Sequence, residues 1–128
     1  MIPLKSDGLK IQYILSMKVT YFTNNPLTLK YTNEELEIAI NGIIEQIEDD
    51  TFSFNALCET LMIKAQNENK IDNAPNTIYL SNKLDAKEYE RVSFILWKNI
   101  WAHKLCLNFH SIESNFNNYS FIILRQNE

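Results

Sequence analysis

Phe54, Leu57, Cys58, Leu61, Met62 and Ala65 recur at steps of three and four residues through "TFSFNALCETLMIKAQNENK". That spacing gathers all six on one face of an α-helix and on no single face of a strand. A helix with one apolar stripe has to bury it. The segment therefore commits the chain to a core packed around helices. Ser53, just ahead of the stripe, is a suitable N-cap.

Two further segments keep the helical period. "TNEE" is a capping box: Thr32 can accept from the third amide while Glu35 reaches back. Leu36, Ile40, Ile43, Ile44 and Ile47 follow, which predicts a helix over 33–48. Its acids Glu34, Glu35 and Glu37 stand at the favoured end of the helix dipole. Glu48, Asp49 and Asp50 stand at the disfavoured end and help it stop. "LDAKEYERVSFILWKNIWAHK" predicts a third helix over 86–104, with Asp85 and Glu88 in the capping pattern.

Elsewhere the pattern is that of strands. Residues 11–22 are rich in β-branched and aromatic types, "NNP" at 24–26 is a turn signal, and "LTLKY" (27–31) alternates, so an N-terminal hairpin is expected. "QNENKIDNAPN" (66–76) is a loop and "TIYLS" (77–81) a short strand. "LCLNFH" (105–110) and "YSFIILR" (119–125) form a C-terminal β-hairpin across "SIESNFNN". The expected order is β-β-α-α-β-α-β-β. That is an α+β fold, with three helices packed on a small antiparallel sheet. The 128 residues suit a single domain over 17–128, with 1–16 as an N-terminal extension or arm and Met17 as a second candidate start.

Catalytic signatures are missing from the sequence. With Gly8 and Gly42 its only glycines, a phosphate-cradling loop has nothing to be built from. There is no nucleophile elbow and no HExxH. His103, Cys106 and His110 form an H-x2-C-x3-H pattern that looks like ligand spacing. The alternation of 105–110 makes that stretch extended, and four residues of strand separate Cys106 from His110 by about 13 Å. One zinc ion would hold both only by a strained reach. No metal and no cofactor are expected. A small enzyme or ligand-binding domain using His103, Cys106 and His110 stays as a lesser alternative.

The third helix carries more apolar surface than one docking face needs. Tyr89, Val92, Leu96 and Ile100, joined by His103, share one side; Phe94, Trp97 and Trp101 share a second, offset by about 90–120°. Lys87, Arg91 and Lys98 fill the remaining wedge beside Glu88 and Ile95. Burial between two layers is the plainer account of the second face. An aromatic anchor patch is the sharper one, because Trp and Arg are enriched at interface hot spots. Residues 34–50 hold Glu34, Glu35, Glu37, Glu45, Glu48, Asp49 and Asp50 with no Lys or Arg. A solvated face is the plainer account here too. The functional one is an electrostatic docking surface for a basic protein.

Charge and cysteine usage narrow the class of partner. The net charge is −4, and gripping phosphates favours a basic excess. The inventory of three helices and a terminal hairpin resembles a winged helix, but the second and third helices are joined by a long linker with its own strand, and the third is mostly apolar. A winged-helix-like nucleic-acid-binding regulator is thus the runner-up. No secretory signal is visible, no apolar run reaches the roughly 18 residues of a membrane span, and the two cysteines are expected reduced in a cytoplasm. Frequent Asn, Ile and Lys point to a low-GC genome, and a bacterial or phage source is expected only by association with small acidic inhibitor and immunity proteins. The expected function is non-catalytic protein binding by a small acidic inhibitor, immunity-type or accessory protein. Phe94, Trp97, Trp101, Glu34, Glu37, Glu45, Glu48, Asp49 and Asp50 are the candidate partner-binding residues. The partner is a basic protein or nucleoprotein, or a second copy in a homodimer.

Overall fold

A computed structural model describes residues 20–72, 76–108 and 119–125. Within them the fold is α+β. The helices are α1 (Asn33–Gln46), α2 (Phe54–Asn67) and α3 (Ala86–Trp101). The strands are β1 (Tyr21–Thr23), β2 (Thr51–Ser53), β3 (Thr77–Tyr79), β4 (Leu105–Leu107) and β5 (Ser120–Ile123). Two compact units divide the chain, one of Met1–Asn25 with Asn73–Ser81 and one of Pro26–Asp72 with Asn82–Glu128. In the smaller unit β1 and β3 pair in parallel, Phe22 opposite Ile78.

The larger unit holds all three helices and a three-stranded antiparallel sheet in the order β2-β5-β4. Phe121 on the central strand lies opposite Phe52 on one side and Leu107 on the other. The Phe52 and Phe121 rings stack 5.3 Å apart. Leu57, Cys58, Leu61, Met62 and Ala65 of α2 are all buried, as their spacing predicts, together with Leu36, Ala39 and Ile40 of α1. Two of the three predicted caps form. Thr32 accepts from the Glu35 amide at 3.1 Å while Glu35 accepts from Thr32 at 2.9 Å, and Ser53 accepts from the Ala56 amide at 3.1 Å.

The strand order differs from the expectation in two places. Residues 27–31 form isolated bridges in place of a hairpin strand, Leu27 to Leu84 and Leu29 to Ile71. Their alternation is real, since Leu27, Leu29 and Tyr31 are buried. Their backbone bonds, however, go to two separate loops, at Lys83 and Asp85 and at Lys70 and Asp72. The 11–19 part of the expected hairpin lies outside the described residues. The second difference is β2, a strand of three residues between two helices, too short to show a period of two.

α3 turns inward the Val92 and Leu96 side that its apolar pattern marks, widened to take in polar residues. Val92, Ile95 and Leu96 are buried, and so are Glu88 and Asn99. Glu88 does not serve the predicted cap; Asp85 is the N-cap and makes no side-chain cap bond. The Glu88 carboxylate instead pairs with Arg91 Nη1 at 2.5 Å. Arg91 donates onward to the Tyr31 carbonyl at 2.5 Å and to Asn33 Oδ1 at 3.1 Å. Asn99 donates to Asn41 Oδ1 at 3.0 Å, and Lys98 pairs with Glu37. These links follow the same order along both helices, so α1 and α3 run parallel.

Candidate functional site

The second apolar face of α3 is open. Phe94 is 59% exposed, Trp97 46% and Trp101 66%. Burial between two layers, the plainer expectation, is corrected: α1 is tied to α3 through Arg91, Lys98 and Asn99 and leaves the indoles uncovered. The Trp97 and Trp101 rings lie 6.3 Å apart and tilted by 36°, and Lys98 Nζ stands 6.0 Å from the Phe94 ring. Large aromatic side chains in mutual contact on a helix surface are the composition of an interface anchor.

Two grooves flank this face. One, of about 630 Å³, runs between α3 and the sheet and is lined by Phe54, Tyr89, Glu90, Ser93, Leu96, Trp97, Tyr119 and Phe121, among others. The other, of about 440 Å³, lies between α1 and α3 and is lined by Glu34, Glu37, Glu90, Phe94 and Lys98, among others. Glu90 stands on the ridge between them. Phe54, which the helical stripe of α2 places in the core, is half-buried and sits at the mouth of the larger groove.

The acidic stretch is partly neutralised from within the chain. Glu35 pairs with Lys70, Glu37 with Lys98, and Asp50 lies 3.7 Å from Arg125. Glu34, Glu45, Glu48 and Asp49 form no ion pair among the described residues and are exposed. The same pairs occupy the basic side of α3, since Arg91 and Lys98 both serve carboxylates of this chain.

His103 stands past the end of α3, exposed, with φ 60°. Its amide bonds to the Ile100 carbonyl at 3.0 Å, and the Lys104 amide bonds to Asn99 at 2.9 Å. This is a Schellman closure with histidine in the left-handed position. Asn69 closes α2 the same way, with φ 58°. The expectation that His103 joins the Tyr89, Val92, Leu96 and Ile100 face is therefore corrected, because the reversal turns it off the helix. His103→Gly is expected to stabilise the fold by about 1 kcal/mol, since only glycine takes this conformation without penalty. Urea unfolding checks it, and a lower midpoint would show that the imidazole makes a contact worth more than the strain.

The backbone is extended from Leu105, as its alternation predicts, and Cys106 lies in β4. His110 lies outside the described residues. Among the described residues no group of three His, Cys, Asp or Glu converges as a metal site. Burial pushes the Cys58 thiol up to about 12, with a smaller contribution from the charge of Glu59. A thiol so protonated and enclosed is no nucleophile at neutral pH. Ellman's reagent should titrate Cys106, which is partly exposed, in the native chain and reach Cys58 only after denaturation. Two equivalents reacting together before unfolding would contradict this packing.

No protein-family model, curated protein or solved structure matches this chain. Among the described residues no helix is long and apolar enough to cross a membrane. Fold and site thus define an α+β chain with an uncovered aromatic helix face set between two grooves. Sequence reasoning missed the larger groove. Its trace in the sequence is Ser93, a small residue between Glu90 and Trp97 at helical spacing.

Proposed function

We propose that this chain is a non-catalytic protein-binding module that acts in a reducing, cytoplasmic setting and docks a basic partner on the α3 face, in the manner of a small acidic inhibitor, immunity or accessory protein. The observation that carries the reading is the exposure of Phe94, Trp97 and Trp101 on one side of a helix whose opposite side is anchored in the core. Such rings lose little on leaving water, and a partner that covers them gains roughly 25 cal/mol for each Å² of apolar area removed from solvent. Glu34, Glu45, Glu48 and Asp49 supply the attraction that speeds encounter with a basic surface.

The test is affinity capture from the native cell with the wild-type chain and with Phe94→Ala and Trp101→Ala, followed by mass spectrometry and by sequencing of any bound nucleic acid. A protein retained by the wild type and lost from both variants, while their melting temperatures stay near the wild-type value, is the expected result. Retention by both variants would remove the α3 face from consideration. Recovery of nucleic acid with a steep loss as salt rises would replace this reading with a nucleic-acid-binding one.

A further inference from the structure

We infer that the groove between α3 and the β2-β5-β4 sheet receives an apolar segment of the partner that carries an arginine, with its guanidinium on Glu90 and a neighbouring apolar side chain against Trp97. The inference rests on the protein-binding reading and deepens it by naming what the partner presents. Three observations support it.

The first is charge. Glu35, Glu37, Glu68 and Glu88 each hold a cation of this chain. Glu90 has no ion pair and no hydrogen bond among the described residues, and it stands on the groove's rim in a chain of net charge −4. Lys83 also lines the groove, and it is already engaged in an interaction of its own. The second is the lining. The Phe54 and Tyr89 rings are 5.9 Å apart at one end, Trp97 stands at the other, and Phe121 helps form the floor. A ligand that is apolar in body and cationic at its tip fits such a site. Arginine suits it best, because a planar guanidinium both stacks on aromatic faces and pairs with a carboxylate in a fixed fork.

The third is dimension. A volume of about 630 Å³ lies within the range of sites that enclose ligands of several side chains. Glu90 and Trp97 are seven residues apart on α3, which is about 10 Å along the axis. A partner helix matches that span with an arginine and an apolar residue seven positions apart. Ser93 between them leaves the space open.

The probe is a fluorescein-labelled amphipathic peptide of leucine and arginine, with its lysine and glutamate counterparts, followed by anisotropy against the full chain. The arginine peptide is expected to bind, the lysine peptide several-fold more weakly, and the glutamate peptide not at all. Glu90→Gln and Ser93→Leu should each weaken the arginine peptide at least tenfold with the fold intact by circular dichroism. Gln66→Lys, at the far end of α2, makes the same change in net charge and should leave binding within twofold. Absence of arginine-peptide binding overturns the inference. So does equal affinity for the lysine peptide, or a loss in Gln66→Lys as large as in Glu90→Gln. If partner capture depends on Trp101 while the peptide ignores Glu90 and Ser93, the groove assignment fails and the protein-binding reading stands. If the peptide needs Glu90 and Ser93 but capture ignores Phe94 and Trp101, the groove stands and the α3 face does not.

Discussion

Arg91→Ala is expected to destabilise the larger unit by about 3 kcal/mol, the lower end of the range for breaking a buried ion pair. The Glu88 side chain is only 5% exposed, and Arg91 supplies its counter-charge. The same guanidinium donates to the Tyr31 carbonyl and the Asn33 side chain, so it also holds the segment that enters α1. Removing it strands a carboxylate and loosens a helix start in one step. At roughly 4 °C per kcal/mol the melting temperature should fall by roughly 12 °C. The double change Glu88→Met with Arg91→Leu should recover most of that loss, because an apolar pair carries no desolvation penalty. Thermal unfolding of the two variants beside the wild type decides the matter. A double variant no more stable than Arg91→Ala would mean that the bonds to Tyr31 and Asn33, and not the stranded charge, dominate.

Leu96→Ala and Trp101→Ala set the inward and outward sides of one helix against each other. Leu96 is 2% exposed and faces the core. Its truncation removes buried methyl groups and leaves a cavity, a loss of about 3 kcal/mol. Trp101, far larger but two-thirds in solvent, should lose under about 1 kcal/mol, because most of its area is never taken from water on folding. The larger residue thus gives the smaller effect. Chemical denaturation of both variants checks the order. The reverse order would mean that the indole is covered in solution, and the docking-face reading would fall with it.

The helices were legible because their signals are local. The stripe on α2, the Thr32 and Glu35 box and the Ser53 cap depend on residues within a few positions of one another, and each forms as read, with Phe54 at the start of the stripe the one member left half-buried. The C-terminal hairpin was legible for the same reason, with Leu105 and Leu107 in register with Ile123 and Phe121. What escaped depends on distant partners. Nothing within 27–31 says that its backbone will bond to residues near 71 and 84. Nothing within α3 says that Glu88 will be buried, because the Arg91 that satisfies it is itself held by Tyr31 and Asn33 at the entry to α1. Apolar residues alone mark α3's faces as Tyr89/Val92/Leu96/Ile100 and Phe94/Trp97/Trp101. The structure buries Val92 and Leu96 of the first face and adds Glu88, Ile95 and Asn99 beside them, where a polar network joins the methyl groups. The exposed aromatic trio was visible in the sequence as a surplus, and only the packing of α1 could show which surplus stays in water.

The parallel pairing of α1 and α3 has an electrical consequence. Antiparallel neighbours cancel their peptide dipoles, whereas parallel neighbours add them. Both negative poles here fall at one end of the pair, where Glu45, Glu48 and Asp49 add formal charge. Arg125 answers from within, donating to the carbonyls of Ile47 and Asp49 at 2.8 Å each. Lys98 and Lys104 offset the α3 pole, so the uncompensated acids Glu45, Glu48 and Asp49 make the α1 C-terminus the more negative of the two. A cationic molecule drifting nearby would feel a torque as well as a pull, and would arrive already turned, in dilute salt more than in concentrated.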